Sequence, residues 1–359
     1  MYFIDLHSDI LLDVMRRRSK GERQVIEKRH LPILQIAGIN ALGLTIWIEL
    51  DQAHRAAERT REMIQALTAE LSESTESLVL VKTPEDAQGA IEAGKLAILL
   101  TIEGMAALEE DETLFLALCN AGLTSGLLTW NEANGFASGY PGYDYSEARK
   151  LSKSRKGFWL TGLDGPSEGE VRGITSKGRL LLKNMAKMGV MLDLSHLNDK
   201  SFWDALDAYP GPGVFASHSN ARSVCNIPRN LNDDQIKAIA ERDGVIGLNA
   251  FSAFVDPDRP GVDRFIDHAV YIADLVGTRH LSFGFDFIDY MNDEDLESIG
   301  GELPGNPGLN GAEDVPNLIS EMKKRGFSNS DLKGIAWENF ARVWRTAIDF
   351  KRRNNDRFY

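Results

Sequence analysis

Residues 3–11 are FIDLHSDIL, an apolar run that ends in two ligand-type side chains, His7 and Asp9. Side chains alternate between the two faces of a β-strand, so these two residues lie on one face of a strand predicted over residues 2–8. Two such side chains at a strand end suit a metal ion, although an ordinary exit from strand to loop can look the same. The metal-site interpretation depends on whether other strands end in the same way.

Seven further apolar runs predict strands, at residues 40–49, 96–103, 124–130, 189–195, 213–218, 244–249 and 280–286. Amphipathic patterns between them predict helices, among them residues 51–71, 176–189, 198–209, 232–244 and 261–277. Several of these patterns begin with Asn, Asp or Ser and end with Gly, which are residue types that cap helices. Strands and helices therefore alternate along the chain.

Eight near-continuously apolar strands separated by helices are typical of a parallel sheet that is covered on both faces. The strand count predicts an α/β protein with a (β/α)8 TIM barrel, a fold in which functional residues lie at the C-terminal ends of the strands. A doubly wound sheet is the structural alternative. It would need a glycine-rich phosphate turn after an early strand, and the sequence contains no GxGxxG motif.

The chain has 359 residues, of which 43% are apolar and 26% are charged, an ordinary globular composition. This length fits one large α/β domain as well as two ordinary ones. We expect a single barrel domain over residues 1–359, with a long loop insertion at about 131–175 and a C-terminal helical segment at about 328–353. The formal net charge of −13 argues against a nucleic-acid partner and an anionic membrane surface.

The two cysteines, Cys119 and Cys225, are far apart in the sequence and neither belongs to a CxxC motif. They indicate neither a disulfide framework nor a zinc site built from cysteines. The sequence also shows no secretion signal and no apolar run of about 18 residues that would cross a membrane. We therefore expect a cytoplasmic protein, although a mature chain with its signal removed would look similar.

The predicted strands end on polar and aromatic side chains. In chain order these are His7, Asp9, Trp47, Glu49, Glu103, Trp130, Asn131, His196, His218, Asn249 and Asp286. Three of the seven histidines are among them, whereas His30, His54, His268 and His280 lie in helical or loop contexts. Each residue alone has an ordinary interpretation, such as a helix cap or a hydrogen-bonded core histidine. Because a barrel would bring them to one face, together they predict a metal site.

Five of these residues offer nitrogen or oxygen donors to a metal: His7, Asp9, Glu103, His196 and His218. They are enough for two borderline divalent cations held close together, and the absence of thiolates favours a catalytic site over structural zinc. Glu103 is the central candidate because a carboxylate can give one oxygen to each metal. Two metals lower the pKa of a bridging water and polarise a carbonyl group. Asp286, outside this donor set, could hold the hydroxide and pass its proton to a leaving amine.

Five stretches of the sequence together carry a more specific signal: DLHSD at 5–9, TIEG at 101–104, LDLSH at 192–196, SHSNARSVCNIPRNLNDDQ at 217–235 and GFDF at 284–287. They resemble the motifs of the renal (membrane) dipeptidase family, binuclear zinc peptidases of the amidohydrolase superfamily. The similarity covers nearly the whole chain in order and includes GIAWENFARVWR at 334–345. The stretch from His218 through Arg229 to Asp234 is its most specific part.

This resemblance implies a role for each candidate residue. The metal ligands would divide into two pairs and a bridge: His7 with Asp9, His196 with His218, and Glu103 between them. The catalytic proton carrier would be Asp286. Arg229 would bind the C-terminal carboxylate of the substrate, a role that suits its planar fork of donors.

The resemblance also implies the reaction and its partners. Two divalent metal ions per chain, expected to be Zn²⁺, would supply a bridging hydroxide that attacks the peptide bond of a dipeptide. The family accepts D-residues at the C-terminal position, so L,D-dipeptides are plausible substrates. A homodimer is also plausible, since dimers are common in the family and are the commonest assembly generally.

The sequence departs from the family pattern at two places. In LTWNEAN, Trp130 occupies the position of a family histidine that helps to polarise the scissile carbonyl. That task would then fall to a metal or to Asn131, and we expect Trp130 to form a wall of the substrate pocket. The family motif DFDG is DFID here, which keeps Asp286 but removes a nearby carboxylate. The long loop at 131–175 is expected to form a wall or lid over the site.

Two other classes of function remain open. One is a different hydrolase of the amidohydrolase superfamily, such as a deaminase, lactonase or amidase. It would fit the metals, but not the family context of Arg229. The other is a non-catalytic barrel used for binding, which would be expected to have lost one or more ligands, and none is missing.

Overall fold

The computed structural model describes residues 2–111, 113–140, 143–144, 172–291 and 305–355. A strand overlaps each of the eight ranges that the apolar runs predict. In chain order the strands are β1 (Ile4–Ser8), β2 (Ala41–Trp47), β3 (Leu78–Leu80), β4 (Leu96–Glu103), β5 (Leu123–Leu127), β6 (Glu132–Ala133), β7 (Tyr143–Asp144), β8 (Met191–Asp193), β9 (Val214–Phe215), β10 (Ile246–Leu248) and β11 (Leu281–Phe283).

Helices separate most of the strands. They are α1 (Ile10–Ser19), α2 (Leu31–Ala37), α3 (Ala56–Glu73), α4 (Pro84–Glu92), α5 (Ala107–Glu110), α6 (Thr113–Ala121), α7 (Ser176–Met188), α8 (Asp199–Ala208), α9 (Asp233–Glu241), α10 (Ser252–Val255), α11 (Val262–Val276), α12 (Val315–Lys324), α13 (Asn329–Lys333) and α14 (Asn339–Asn355). Shorter 3-10 or π turns lie at Ile26–His30, Leu50–Arg55, Thr278–His280, Ala312–Asp314 and Gly334–Glu338.

Capping residues explain where several helices begin and end. The Asn198 side chain accepts a hydrogen bond from the backbone N–H of Ser201 at the start of α8. Asn232 accepts from the backbone N–H of Gln235 at the start of α9 and forms a full capping box with that residue. Gly189 ends α7 with a φ of 74°, in the left-handed region that favours glycine.

Most described strands form one parallel sheet. Its order is β1-β2-β4-β5-β8-β9, and β3 pairs with β4 beside this path. Strands β10 and β11 form a second parallel pair, and the short β6 and β7 form a third. A single parallel bridge between Ala216 and Ile246 joins the large sheet to the second pair. The observed architecture is thus mixed α/β with a curled parallel sheet.

Strand β3 is one of three described strands that the sequence did not predict, with the two-residue β6 and β7. It has only three residues and pairs with the N-terminal half of β4, Leu78 opposite Leu96. The C-terminal half of β4 pairs with β5, Glu103 opposite Leu127. So short an apolar run has too few residues to show a strand period.

Strand β4 shows why the predicted strands are almost entirely apolar. Ile98, Leu100 and Ile102 belong to the main hydrophobic core. Ala97 and Leu99, with the alternate side-chain direction, belong to a second buried cluster that includes aromatic residues of the C-terminal segment. Both faces of the strand are therefore covered, as parallel sheets require.

The expected loop at 131–175 lies only partly within the described residues, which include 131–140, 143–144 and 172–175. Its expected role as a wall or lid falls on residues outside them. Helices α13 and α14 lie in the C-terminal segment, and the extent of the domain stays a prediction. In the part of the chain that the structure describes, no helix is both long enough and apolar enough to cross a membrane.

Candidate metal centre

The candidate ligands lie at the C-terminal ends of the strands or just beyond them. His7 lies in β1 and Glu103 is the last residue of β4. Asp9, His196, His218 and Asp286 each follow a strand by one to three residues, after β1, β8, β9 and β11 respectively. Parallel strands present these ends at the same edge of the sheet. The structure brings all six side chains into one cluster there.

Glu103 lies at the centre of this cluster. Its Oε2 is 3.4 Å from His7 Nε2. Its Oε1 is 2.9 Å from His196 Nε2 and 3.3 Å from His218 Nε2. The two histidine Nε2 atoms are themselves 2.9 Å apart. One carboxylate oxygen thus faces His7, and the other faces the two remaining histidines.

Two further carboxylates approach His7. Its Nε2 lies 3.5 Å from Asp9 Oδ2 and 3.8 Å from Asp286 Oδ1. Within the described residues, two overlapping groups have donor atoms close enough to hold an ion: His7, Glu103 and His218 in one, and His7, Asp9 and Asp286 in the other. All of these donors are nitrogen or oxygen atoms, a set that suits zinc and other borderline divalent cations.

Several donor atoms in the cluster make no hydrogen bond of normal geometry, even where the distance to a neighbouring nitrogen or oxygen is short. They are His7 Nε2, Asp9 Oδ1 and Glu103 Oε1, all buried. Buried polar atoms are nearly always hydrogen-bonded in native proteins, because leaving one unpaired costs about 1–3 kcal/mol. A cation bound among these atoms would satisfy them. The residues present therefore fit a metal centre.

The second ring nitrogen of each histidine contacts a side-chain oxygen. His196 Nδ1 lies 2.8 Å from Asn131 Oδ1, His218 Nδ1 lies 2.6 Å from Ser217 Oγ, and His7 Nδ1 lies 3.4 Å from Thr45 Oγ1. Such partners orient the ring and leave Nε2 free for a metal. Asn131, which the sequence suggested as a substrate contact, has its side-chain oxygen on His196 Nδ1.

Sequence reasoning did not single out Ser217 and Thr45. Ser217 directly precedes His218, so its position beside a candidate ligand was visible in the sequence. Thr45 is different, because it contacts both His7 and Thr101, with Oγ atoms of the two threonines 2.9 Å apart. Its role depends on the pairing of β2 between β1 and β4. No local sequence signal marks it.

Burial and charge separate the pKa values of the three histidines. Burial lowers the pKa of His196 well below its usual value, and Arg229 and His7 lower it further. His218 is likewise lowered, mainly by burial. Burial also acts to lower the pKa of His7, but Glu103 and Asp9 outweigh it and hold the value well above normal. Neutral imidazole is the form that binds metals, so His196 and His218 are already in that form.

Burial also acts on the two acidic residues that face His7. It raises the pKa of Glu103 to about 7 and that of Asp286 to about 6, although the charge of His7 opposes both shifts. A divalent cation stabilises the ionised carboxylate and would reverse these shifts. The cluster therefore carries an excess of acidic groups that a cation would neutralise.

Arg229 lies beside this cluster and is only 4% exposed. Its Nη1 donates to Ser219 Oγ at 3.0 Å and its Nη2 donates to the His218 carbonyl at 2.8 Å. The guanidinium carbon lies 5.1 Å from the centre of the Phe254 ring. Burial lowers the pKa of Arg229 to about 10, so it stays charged at neutral pH. It is a fixed cation suited to binding an anionic group.

Trp130 lies on another side of the centre. Its ring centre is 6.2 Å from that of His196 and 5.2 Å from that of Trp47, which it meets at 64°. Trp47 ends β2 and is 3% exposed, and its indole nitrogen has no hydrogen-bond partner. An aromatic pair thus stands next to the histidines.

Asn249 is a further strand-end residue to which the sequence assigned no role. It follows β10, and its Nδ2 donates to Asp286 Oδ2 at 3.1 Å. This hydrogen bond leaves the other oxygen, Oδ1, directed toward His7. Asp286 is therefore held by one oxygen while the other faces the candidate metal ligands.

A model of the membrane dipeptidase family, peptidase family M19, matches residues 1–357 of the chain. An uncharacterized protein from the pqqA 5′ region of Klebsiella pneumoniae is 29% identical over 279 residues, which cover 76% of this chain and 90% of that protein. An uncharacterized dipeptidase of Schizosaccharomyces pombe is 32% identical over 181 residues, covering 50% of this chain and 41% of that protein.

Solved structures share the fold. A metallo peptidase from Rhodobacter sphaeroides, liganded with a phosphinate mimic of the dipeptide L-Ala-D-Ala, has a TM-score of 0.77 at 22% identity and covers 97% of this chain and 99% of its own. The probable dipeptidase PvdM from Pseudomonas aeruginosa has a TM-score of 0.77 at 17% identity, over 98% of this chain and 96% of its own. At these identities the likeness establishes the architecture alone.

Proposed function

Because the chain belongs to the membrane dipeptidase family, peptidase family M19, and is therefore a metal-dependent hydrolase of peptide bonds, we propose that it cleaves free dipeptides at a two-metal centre. The observation that carries this proposal is the convergence of three histidine Nε2 atoms on the two oxygens of Glu103. A binding protein without catalysis would have no need of this complete donor set.

The proposed centre holds two divalent cations, with Zn²⁺ as the expected metal. The first pair of ligands is His7 with Asp9, and the second is His196 with His218. Glu103 has one oxygen toward each pair and is the proposed bridge. When bound, the two cations supply an acidified water as nucleophile and an electrophile for the scissile carbonyl.

Asp286 is the proposed proton carrier. Asn249 holds its Oδ2, while its Oδ1 faces His7. From this position Asp286 takes a proton from the attacking water and delivers it to the amine that leaves. A carboxylate that is held but is not the bridging residue is suited to move a proton in both directions.

Arg229 is the proposed anchor for the substrate carboxylate. Its fixed guanidinium lies one hydrogen bond from the backbone of His218, so a carboxylate bound there would place the peptide bond near the metal ligands. Asp286, Glu103 and Asp193 favour its charged form. Recognition of a free C-terminal carboxylate would restrict the enzyme to short substrates.

Trp130 is the proposed wall of the substrate pocket. It stands beside His196 and against Trp47. An indole cannot polarise a carbonyl as the family histidine does, so that task falls to the cations. Asn131, whose side-chain oxygen contacts His196, remains a proposed substrate contact.

We include dipeptides with a D-residue at the C-terminus among the proposed substrates. The phosphinate complex of the Rhodobacter sphaeroides protein mimics such a dipeptide, and it makes L-Ala-D-Ala a suitable first probe. We also propose that the curled sheet continues into a complete (β/α)8 barrel. The cytoplasmic location and the homodimer stay predictions.

The experiment that tests the proposal compares dipeptides with the same dipeptides as C-terminal amides. Amidation removes the negative charge and leaves the scissile bond unchanged, so the zinc-loaded protein should cleave L-Ala-L-Ala or L-Ala-D-Ala and fail on the amides. In Arg229→Lys a point charge replaces the planar fork. We expect kcat/KM on the acids to fall by more than about tenfold, with the amide rates unchanged.

Arg345→Lys is the matched control, because Arg345 is exposed and pairs with Glu85 far from the strand ends. It should keep the activity of the unmodified protein. Equal cleavage of acid and amide by the unmodified protein would contradict the dipeptidase proposal. A broader amidohydrolase activity on amides or lactones would then be the better description.

A further inference from the structure

A buried aspartate ties the two strand ends that carry His7 and Asp286. Asp5 lies in β1, and its Oδ1 accepts hydrogen bonds from the backbone N–H of His7 at 3.3 Å and of Phe285 at 2.9 Å. Phe285 directly precedes Asp286. No backbone hydrogen bond between described residues joins β11 to β1, so the Asp5 oxygen provides a connection there that a strand ladder normally provides.

Asp193 repeats this arrangement on the other side of the centre. It is the last residue of β8, and its Oδ1 accepts from the backbone N–H of Ser195 at 3.0 Å and of Ser217 at 2.9 Å. Ser195 directly precedes His196 and Ser217 directly precedes His218. Asp193 is 1% exposed. One oxygen atom therefore links the backbones that carry both histidines.

Backbone conformation shows why these bonds matter. His196 has a φ of 64° and Asp286 a φ of 58°, both in the left-handed region. A residue with a Cβ atom pays about 1–2 kcal/mol for this conformation, and it persists only where the surroundings hold it. His196 directly follows Ser195, and Asp286 directly follows Phe285. In both cases an aspartate accepts a hydrogen bond from the backbone N–H of the preceding residue.

We propose that Asp5 and Asp193 are a matched pair of positioning residues for the metal centre. This inference rests on the proposed function. Each buried carboxylate fixes the backbone of two site residues at the edge of the sheet where ladder hydrogen bonds end. Asp5 serves the half with His7, and Asp193 serves the half with His196. Both act by accepting hydrogen bonds and touch neither metal nor substrate.

The test measures binding of Co²⁺ to the chelator-treated full-length protein, by titration and by the visible absorption of the bound ion. Loss of an outer partner typically weakens metal binding 10–100-fold. We expect Asp193→Ala to weaken one of the two bound ions by more than about tenfold and leave the other near normal. Asp5→Ala should weaken the opposite ion, so the two spectra should differ.

Asparagine provides the conservative rescue. In Asp5→Asn and Asp193→Asn the side-chain oxygen can still accept both backbone N–H groups. We expect both ions to bind within about threefold of the affinity of the unmodified protein, since the acceptor that orients the site is retained. Folded Asn variants that bind Co²⁺ as poorly as the Ala variants would overturn the proposal.

Glu70→Ala is the control for a general loss of stability. Glu70 is fully buried and accepts the backbone N–H of Ile26 at 2.8 Å, away from the strand ends. We expect this variant to unfold at a lower temperature yet bind both ions normally. If Asp5→Ala and Asp193→Ala behave in the same way, these aspartates are structural only and the proposal is wrong.

Hydrogen exchange of the unmodified, metal-free protein tests the proposal if an alanine variant does not fold. Protection of the N–H groups of Phe285 and Ser217 supports it, and exchange at the rate of free amides overturns it. These measurements need no dipeptide. If the alanine variants each lose one Co²⁺ ion selectively but the unmodified protein does not cleave dipeptides, the proposed substrate is wrong and the positioning roles are still supported.

Discussion

Asp286 differs from the candidate ligands in how it is held. Its Oδ2 accepts from Asn249, whereas Glu103 and Asp9 each have an oxygen without a hydrogen-bond partner. An oxygen without a partner is available to a cation, while a held carboxylate is available for proton transfer. We therefore expect proton transfer by Asp286 and metal binding by Glu103 and Asp9. Substitutions at single residues can test this difference.

We predict that Asp286→Asn keeps near-normal metal content but lowers kcat by a factor on the order of 10²–10⁴, the usual effect of losing a positioned acid or base. Elemental analysis and steady-state kinetics on one dipeptide would measure both. Asp289→Asn is the matched control, because Asp289 is an exposed aspartate three residues further on and is not among the candidate ligands. Full turnover in Asp286→Asn would place the proton carrier elsewhere.

Glu132 is a second buried carboxyl near the site, 3% exposed. Burial raises its pKa to about 7, and the backbone N–H of Trp130 opposes this only weakly from 3.4 Å. The unfolded chain has the ordinary value of 4.5. Folding therefore favours the neutral form, and the stability that this form contributes is present below about pH 4.5 and is lost as the pH rises through about 7.

We predict that Glu132→Gln removes this loss. Relative to the unmodified protein, the variant should gain on the order of 1–3 kcal/mol of unfolding free energy between pH 4.5 and pH 8, because glutamine has no charge to bury. Urea denaturation at the two pH values would measure the difference. The same difference at both pH values would mean that Glu132 does not titrate in this range.

At the scale of elements, β9, β10 and β11 approach one another closely behind His218. A Cβ atom on Gly247 would lie 1.9 Å from the Ser217 carbonyl oxygen, and one on Gly284 would lie 1.8 Å from the same atom. Only glycine fits at these two positions. The contact places the backbone of Ser217 and His218 against the second strand pair.

We predict that Gly247→Ala lowers the unfolding free energy by about 1–3 kcal/mol or more, as overpacking in a core does. Because the clash is with the backbone before His218, binding of one metal should weaken as well. Thermal unfolding and metal titration would measure the two effects.

Gly89→Ala is the matched control for that substitution. Gly89 lies within α4, and a Cβ atom there would meet nothing within 4 Å. Alanine in a helix is favoured over glycine by about 0.5–1 kcal/mol. We therefore expect this variant to be as stable as the unmodified protein or slightly more so. A Gly247→Ala variant that behaved like Gly89→Ala would contradict the close packing of these strands.

At the scale of the whole molecule, the candidate metal centre draws its residues from two separate parallel sheets. Its candidate ligands come from β1, β4 and the segments after β8, β9 and β11. The first four of these strands belong to the large sheet and β11 to the second pair, and within the described residues one isolated bridge joins the two. Cations bound among them would therefore hold the two sheets together, in addition to neutralising buried carboxylates.

We predict that removing the metals lowers the midpoint of thermal unfolding by several degrees. A ligand at 100 times its Kd stabilises the folded state by about 2.7 kcal/mol, if the unfolded chain does not bind it. Differential scanning calorimetry with and without a chelator would measure this. Zn²⁺ should restore the midpoint, and Mg²⁺ should not, because it prefers oxygen ligands. No tightly bound metal and no response to zinc would contradict the two-metal centre.

The amino-acid sequence was sufficient for the properties that arise from local pattern. Apolar runs and amphipathic periods located eight of the described strands and the main helices. A strand that is buried on both faces is a continuous apolar run, and a helix that is buried on one face repeats its apolar residues with the helical period. The six charged or histidine side chains that meet in the cluster were among the strand-end residues that the same frame predicted. The family was recognisable because its motifs keep their order along the chain.

Only the tertiary structure decided which atoms meet. The hydrogen bond from Phe285 to Asp5 joins residues 280 positions apart, and that between His196 and Asn131 spans 65 positions. No periodicity encodes such a pairing, since it depends on how strands from distant parts of the chain pack. For the same reason, the contacts of Asp5 and Asp193, the contact of Asn131 with His196 and the burial that shifts the pKa of Glu103 emerged only from the folded chain.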